Sequence, residues 1–324
     1  MIATCARAGR WGVVVALMWG AAVGCATVRS PMAYVAGLDS DSLAIVDTAT
    51  DRIVARIADV PQPWDIVVSS DGRTIYVGGK GRTVSAVGSE SHTIIDRIAA
   101  GKVPQAVDVS ADGRALFVAN AMDHSLSVIS TSSRLLLARP KVGALPVAVA
   151  AIKNRPAVYV VNYFAGTVSV VSTVGYRVVE TIPVGMFPAD IAVAPDGREA
   201  YVTNQGPGTV SVIDTTRDEV VATIDVGAIP GGIALSPDGQ WAYVANGGSD
   251  TVSVISTATD RVVATIAVGR MPWGVAVTPS GRKIYVTHQG GEAMAVIDAA
   301  AHSVINWVSL GPAFGMSGVA IAPR

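Results

Sequence analysis

Cysteine is almost absent from this chain of 324 residues, and the only two, Cys5 and Cys25, stand near its start. The body of the protein therefore has neither an internal disulfide nor a cysteine-ligated metal or redox centre. Charge is also scarce, at 15% of residues, and the formal net charge is −1. Lys and Arg are scattered, many just after turn glycines, as at Arg73, Arg114 and Arg198. No clustered basic face is present, so a nucleic-acid partner is not expected. GxSxG, HExxH and CxxCH are missing, as is a GxGxxG between strand and helix. Those gaps remove the usual signatures of a serine hydrolase, a zinc protease, a covalently bound haem and a dinucleotide fold. Beyond the first residues no window keeps helical spacing, which leaves β-structure to explain a chain that is 50% hydrophobic.

What the chain does have is a period. An aromatic residue opens each copy of one unit, at Tyr34, Tyr76, Phe117, Tyr159, Tyr201, Tyr243 and Tyr285. The steps between them are 42, 41, 42, 42, 42 and 42 residues. Such regularity means one supersecondary unit stacked on itself. Each unit holds four short apolar runs separated by turn signals, the signature of strands. The dipeptides Asp71-Gly72, Asp112-Gly113, Asp196-Gly197 and Asp238-Gly239 mark a tight turn, with Ser280-Gly281 as a variant. One copy carries Asn154-Arg155 instead, and a different turn is expected there. Val, Ile and Ala with interleaved Ser and Thr, as in Thr167-Val168-Ser169-Val170-Val171-Ser172, suit sheets covered on both faces.

These features predict an all-β, seven-bladed β-propeller with four antiparallel strands per blade. The chain opens mid-unit at Met32–Ala36 and closes mid-unit at Gly318–Pro323. The closing run matches Gly274–Pro279, an innermost strand, so it should join the N-terminal three strands and leave no open edge.

The motif Tyr201-Val202-Thr203-Asn204 resembles that of the YVTN-type β-propeller proteins. The likeness spans about residues 32 to 323, with departures at Tyr34–Gly37, Tyr76–Gly79 and Tyr285–His288. It implies a secreted or surface protein of prokaryotic type and little about activity. Members of that group include adhesion modules, proteins of unknown ligand and distant lactonase cousins.

Residues 1–24 read as a signal peptide. Arg7 and Arg10 precede an apolar stretch of 13 residues, Trp11–Val23. That is short of the roughly 20 residues a membrane-spanning helix needs and fits a secretory leader. Ala22-Val23-Gly24-Cys25 resembles a bacterial lipoprotein cleavage box, with Ala22 where Leu is usual. Cys25 is then the first mature, lipidated residue, 25–31 a short tether and 32–324 the propeller. Ordinary cleavage after Ala26, giving a secreted soluble protein, is the alternative.

The Pro-bearing loops should rim the axial channel on one face, and the Asp-Gly turns should lie on the other. Trp64, Asp65, Asp190 and Trp273 break an otherwise small, apolar rim, with the two Trp expected three blades apart and the two Asp also three apart. His288-Gln289 replaces the repeat's Asn on the same face. Large aromatics suit a ligand or partner, whereas paired carboxylates could serve as acid and base or simply accept loop amides. Asn120, Asn162, Asn204 and Asn246 recur in register, which points to a turn hydrogen bond in every blade. The reading is a monomeric, non-enzymatic envelope propeller binding a protein or small ligand, without cofactor or metal. The alternative is a lactonase-like hydrolase or lyase using Asp65, Asp190 and His288.

Overall fold

The computed structural model describes residues 30–289, 291–311 and 314–322. The leader, Cys25 and the proposed signal cleavage sites lie outside these residues. The described chain forms seven sheets of four antiparallel strands. A 3₁₀ turn at Ala121–Asp123 is the sole helical element among the described residues.

The first blade is built from both ends of the chain. Its order is β28 (Met316–Ala322), β1 (Met32–Gly37), β2 (Ser42–Asp47) and β3 (Arg52–Ile57). Tyr34 pairs with Ala320 and Val35 with Val319, so the closing run is the innermost strand, as its match to Gly274–Pro279 predicts. The six other innermost strands are β4 (Asp65–Val68), β8 (Pro104–Val109), β12 (Pro146–Ile152), β16 (Pro188–Val193), β20 (Pro230–Leu235) and β24 (Pro272–Val277). They begin the second to seventh blades in turn and surround the axis with β28.

The middle strands of each blade are almost wholly buried, because neighbouring sheets cover both of their faces. The repeat aromatics Tyr34, Tyr159, Tyr201, Tyr243 and Tyr285 are among the largest fully buried side chains. The glycines of the Asp-Gly turns take the left-handed backbone the turn demands, as at Gly72 with φ 72° and Gly197 with φ 74°. The aspartate ahead of each accepts the amide two residues after it, as Asp71 does from Arg73 at 3.0 Å, and all but Asp196 also accept a Ser hydroxyl from two residues before, as Asp71 does from Ser69 at 2.6 Å.

The recurring Asn does the job its register implies. Asn204 Oδ1 accepts the Gly185 N–H at 3.1 Å, and its Nδ2 donates to Ser211 Oγ at 3.0 Å. Asn120 does the same with Gly101 at 2.7 Å and Ser127 at 2.9 Å. Asn120, Asn204 and Asn246 thus tie the incoming loop from the preceding blade to their own sheets, whereas the Asn162 Oδ1 is buried without a hydrogen-bond partner.

A polar latch reinforces the closing seam. Lys283 Nζ in the seventh blade reaches Asp51 Oδ1 of the first at 2.8 Å, and the buried Tyr285 hydroxyl donates to the same carboxylate. Nearby, Arg56 donates to the Leu310 carbonyl at 2.5 Å and lies over the Phe314 ring at 5.2 Å. Asp51→Ala would remove the carboxylate and leave Lys283 and Tyr285 only the Thr48 carbonyl as acceptor. Breaking a largely buried pair in this way costs about 3 kcal/mol. Urea unfolding should show that loss; an unchanged midpoint would mean that β28 alone closes the ring.

Candidate functional site

Strand alternation decides what faces the axis. The innermost strands line the channel with Val, Ile, Ala and Gly except at three places. Asp65 on β4, Asp108 on β8 and Asp190 on β16 project carboxylates there, lining a central chamber of about 320 Å³. Lys153 also lines that chamber, just past the end of β12. On the Pro-loop side the chamber meets a mouth of about 100 Å³ walled by Trp64, Trp273, Gln105, Asp65 and Asp190.

The structure therefore brings together four of the sequence-derived candidates: Trp64, Asp65, Asp190 and Trp273. It corrects the spacing of the tryptophans. They stand two blades apart rather than three, because β28 alone lies between β24 and β4. Trp273 is seated over the preceding blade: a Cβ on Gly231 would come within 3.1 Å of its indole, closer than an ordinary contact.

His288 and Gln289 do not join them. His288 is 2% exposed inside the seventh blade, with Nδ1 3.2 Å from the Ala293 carbonyl and its ring 5.5 Å from that of Trp307. It occupies the slot that Asn fills elsewhere, and burial pushes its pKa down from the ordinary value. Gln289 is a turn residue whose N–H donates to the Met271 carbonyl at 2.9 Å, outside the mouth. An acid–base trio of Asp65, Asp190 and His288 is not assembled.

Asp108 lies four residues after its Pro, outside the two-residue stretch after each Pro where the other departures stand. The available signal was simple: with Asp65 and Asp190 it makes up all the acidic residues on the seven innermost strands. It sits two residues deeper along the channel wall.

All three carboxylates do the same structural work. Asp65 accepts its own neighbour's amide, Ile66 N–H at 2.8 Å, with one oxygen and the next blade's Val107 N–H at 2.9 Å with the other. Asp108 does so with Val109 and Ala151, both at 2.7 Å, and Asp190 with Ile191 at 2.8 Å and Ile233 at 2.9 Å. The channel-facing edge of a sheet leaves such amides without strand partners, and an aspartate satisfies two at once while joining adjacent blades. Where Gly takes the place of Asp, blades approach directly: a Cβ on Gly318 would lie 2.6 Å from the Trp64 carbonyl.

These acids are enclosed by protein, though water reaches them through the channel. Burial raises all three pKa values, Asp108 to about 6 and Asp190 to about 7. The amide bonds oppose that rise, and the charge of Asp65 adds to it at both other sites. The acids are too dispersed to share one cation; among the described residues no three His, Cys, Asp or Glu side chains are grouped to hold a metal ion.

Around the mouth the same face is apolar. Met122, Phe164, Met186, Phe187, Ile229 and Met271 are each 41–66% exposed on its loops. Phe187, Ile229 and Met271 occupy the position before the loop Pro with φ near +50° (55°, 50° and 51°), a backbone that bulky side chains seldom adopt. In the third to seventh blades the N–H of the residue after the second strand supports that geometry by donating to the left-handed residue's carbonyl, as Gln205 does to Phe187 at 3.0 Å. The loops are thereby held with their apolar side chains outward.

Comparison with known proteins agrees with this architecture. Residues 136–238 match the YNCE-like beta-propeller family, and residues 209–304 match the Lactonase, 7-bladed beta-propeller family. The lactonase match includes none of the three channel aspartates. No curated protein matched the chain. A functionally unknown protein from Desulfotomaculum acetoxidans superposes with a TM-score of 0.80 at 17% identity, over 90% of this chain and 99% of its own. Hydrazine synthase of Kuenenia stuttgartiensis gives 0.71 at 21% identity, over 79% of this chain and 88% of its own. The dihydro-heme d1 dehydrogenase NirN gives 0.65 at 16%, over 89% and 74%. At such identities the likeness is one of fold. This chain is a seven-bladed β-propeller.

Proposed function

We propose that the protein is a non-enzymatic binding propeller that recognises a protein or small ligand at the mouth of its channel. One observation carries this reading: the carboxylates best placed for chemistry are engaged as interblade amide acceptors, while the loops around them present exposed apolar side chains. An apolar surface rimming a concave opening is the usual form of an interaction site. The lactonase-like alternative loses its base, since His288 is enclosed in the seventh blade.

Trp64→Ala with Trp273→Ala should leave the melting temperature nearly unchanged, because both indoles are only partly buried at the rim. Binding should weaken by about 2 kcal/mol or more if either is a hot spot. Titration of the double variant against the captured ligand checks both; full affinity would remove the tryptophans from the site.

The reading extends to location. We place the protein in the cell envelope, exported by the 1–24 leader and anchored through a lipidated Cys25. The tether would join at the Asp-Gly face, since Thr48 in a turn on that face donates to the Pro31 carbonyl at 3.1 Å. Six residues reach at most about 20 Å, so the mouth would point away from the bilayer. Cys25→Ser should shift the protein from the membrane fraction to a soluble or unprocessed form; mass spectrometry finding Thr27 as an unmodified first residue would overturn the anchor.

A further inference from the structure

The residues that break the repeat on the Asp-Gly face meet in one place. In most blades the opening aromatic is Tyr, and its hydroxyl can reach the next blade. Tyr34 donates to the Ser89 carbonyl at 3.3 Å, and Tyr159 and Tyr285 donate to Asp218 and Asp51. The acceptors Asp218 and Asp51 hold a left-handed turn position, with φ 57° and 54°. In the third blade the aromatic is Phe117, which has no hydroxyl to donate. The matching turn position of the fourth blade is Tyr176, φ 51°, which offers no carboxylate. The polar staple is therefore missing from both sides of this seam.

A cavity of about 420 Å³ occupies the seam instead, with Phe117 and Tyr176 in its walls. Two further irregularities open onto it. The outer strand of the third blade, β11 (Leu136–Ala138), has three residues where the other outer strands have six or seven, and Leu137 lines the cavity. The Asn154-Arg155 turn that replaces Asp-Gly brings Arg155 to its wall, beside Lys153.

Charge selects among ligands. Arg114, Lys153 and Arg155 line the cavity, with Asp112 beside Arg114 and Asp218 paired to Arg155, so one positive charge is left over. Arg155 is fixed by Asp218, which accepts from its Nη2 at 2.6 and 2.8 Å, and its Nε is buried without a hydrogen-bond partner. Arg114 and Asp112 stand 4.0 Å apart and exposed, a pairing of little strength. The remaining wall is largely apolar, including Ile152 and Pro156.

We propose that this cavity between the third and fourth blades binds a small organic carboxylate with an aliphatic body, the anion meeting Lys153 and Arg155 and the body packing on Phe117, Leu137 and Tyr176. It is separate from the channel mouth and stands whether or not the mouth binds anything.

Octanoate is the probe, followed by calorimetry and by amide chemical-shift changes on the full chain. Saturable binding is expected, with shifts centred on residues 110–117, 151–157 and 173–176. 1-Octanol, which lacks the charge, and inorganic phosphate, which lacks the body, should each bind at least tenfold more weakly. Lys153→Gln, an exposed substitution, should weaken octanoate at least tenfold. Phe117→Tyr with Tyr176→Asp rebuilds the staple that Tyr159–Asp218 and Tyr285–Asp51 form at two other seams; it should fold at least as stably as the parent and also lose at least tenfold in affinity. Equal binding of octanol, shifts centred elsewhere, full affinity in the staple-restoring variant, or no binding at millimolar octanoate would each overturn the assignment.

Discussion

A chain truncated after Gly315 is expected to lose its cooperative unfolding transition and to aggregate. The deleted segment is the innermost strand of the first blade, and Met316 and Ser317 within it are fully buried. Without β28 the hydrogen-bonding edge of β1 faces water, and the neighbouring β24 and β4 lose the strand packed between them. Open edges of this kind recruit other chains. Each large apolar side chain uncovered or removed from the core costs about 1.5–3 kcal/mol, so losing Met316 and uncovering Tyr34 and its neighbours consumes most of the roughly 5–15 kcal/mol that holds a domain folded. Calorimetry and light scattering of the truncated chain make the check. A monomer melting at the parent temperature would refute the closed ring.

Stability should rise as pH falls from about 8 towards about 5, the reverse of common acid behaviour. Asp190 and Asp108 titrate near 7 and near 6 in the folded ring, against 3.8 ordinarily, and Asp65 is shifted the same way. The folded state thus holds protons more tightly than the unfolded chain. Such a group contributes stability that is complete below its unfolded pKa and is lost as pH climbs through its folded one. A shift of one unit corresponds to about 1.4 kcal/mol, so these buried acids together move the stability by several kcal/mol across that window. The exposed turn aspartates Asp71, Asp112 and Asp238 are shifted down by their Ser and amide hydrogen bonds. Their contribution is present above 3.8 and fades below it, so the melting temperature should peak near pH 5 and fall on both sides. Asp190→Asn should flatten the basic limb. A melting temperature constant from pH 5 to pH 8 would mean that channel water solvates the carboxylates fully.

The fold was readable because repetition multiplies a weak signal. A single apolar run such as Thr209–Asp214 is ambiguous, but its return at nearly constant spacing, with Asp-Gly on one side and Asn on the other, leaves little but a blade. The closing strand was legible for the same reason, since the sequence of Gly318–Pro323 repeats that of Gly274–Pro279. The site was less so. Asp65 and Asp190 stood out beside their Pro, yet Asp108 lies two residues further on and faces the same channel by strand alternation alone. His288 shows the opposite error. It breaks the pattern, but it does so inside the Asn slot, where a ring of similar reach fits between Ala293 and Trp307. A departure from the repeat marks function only where the side chain faces open space, and that depends on which parity of the strand meets the axis or a loosened seam. The exposed Phe187, Ile229 and Met271 escaped notice because the left-handed backbone that turns them outward leaves no mark in composition.

The claim that recognition occurs at the channel mouth is tested most directly by placing a photo-cross-linking residue in the protein expressed in its native cell, one variant at a time. Phe187 and Met271 sample the mouth face, and Asp238 and Arg282 sample the turns opposite. The account predicts a discrete adduct from the mouth positions, with its yield falling in the Trp64→Ala, Trp273→Ala background. Adducts formed only from Asp238 and Arg282, or mouth adducts indifferent to the tryptophans, would contradict it.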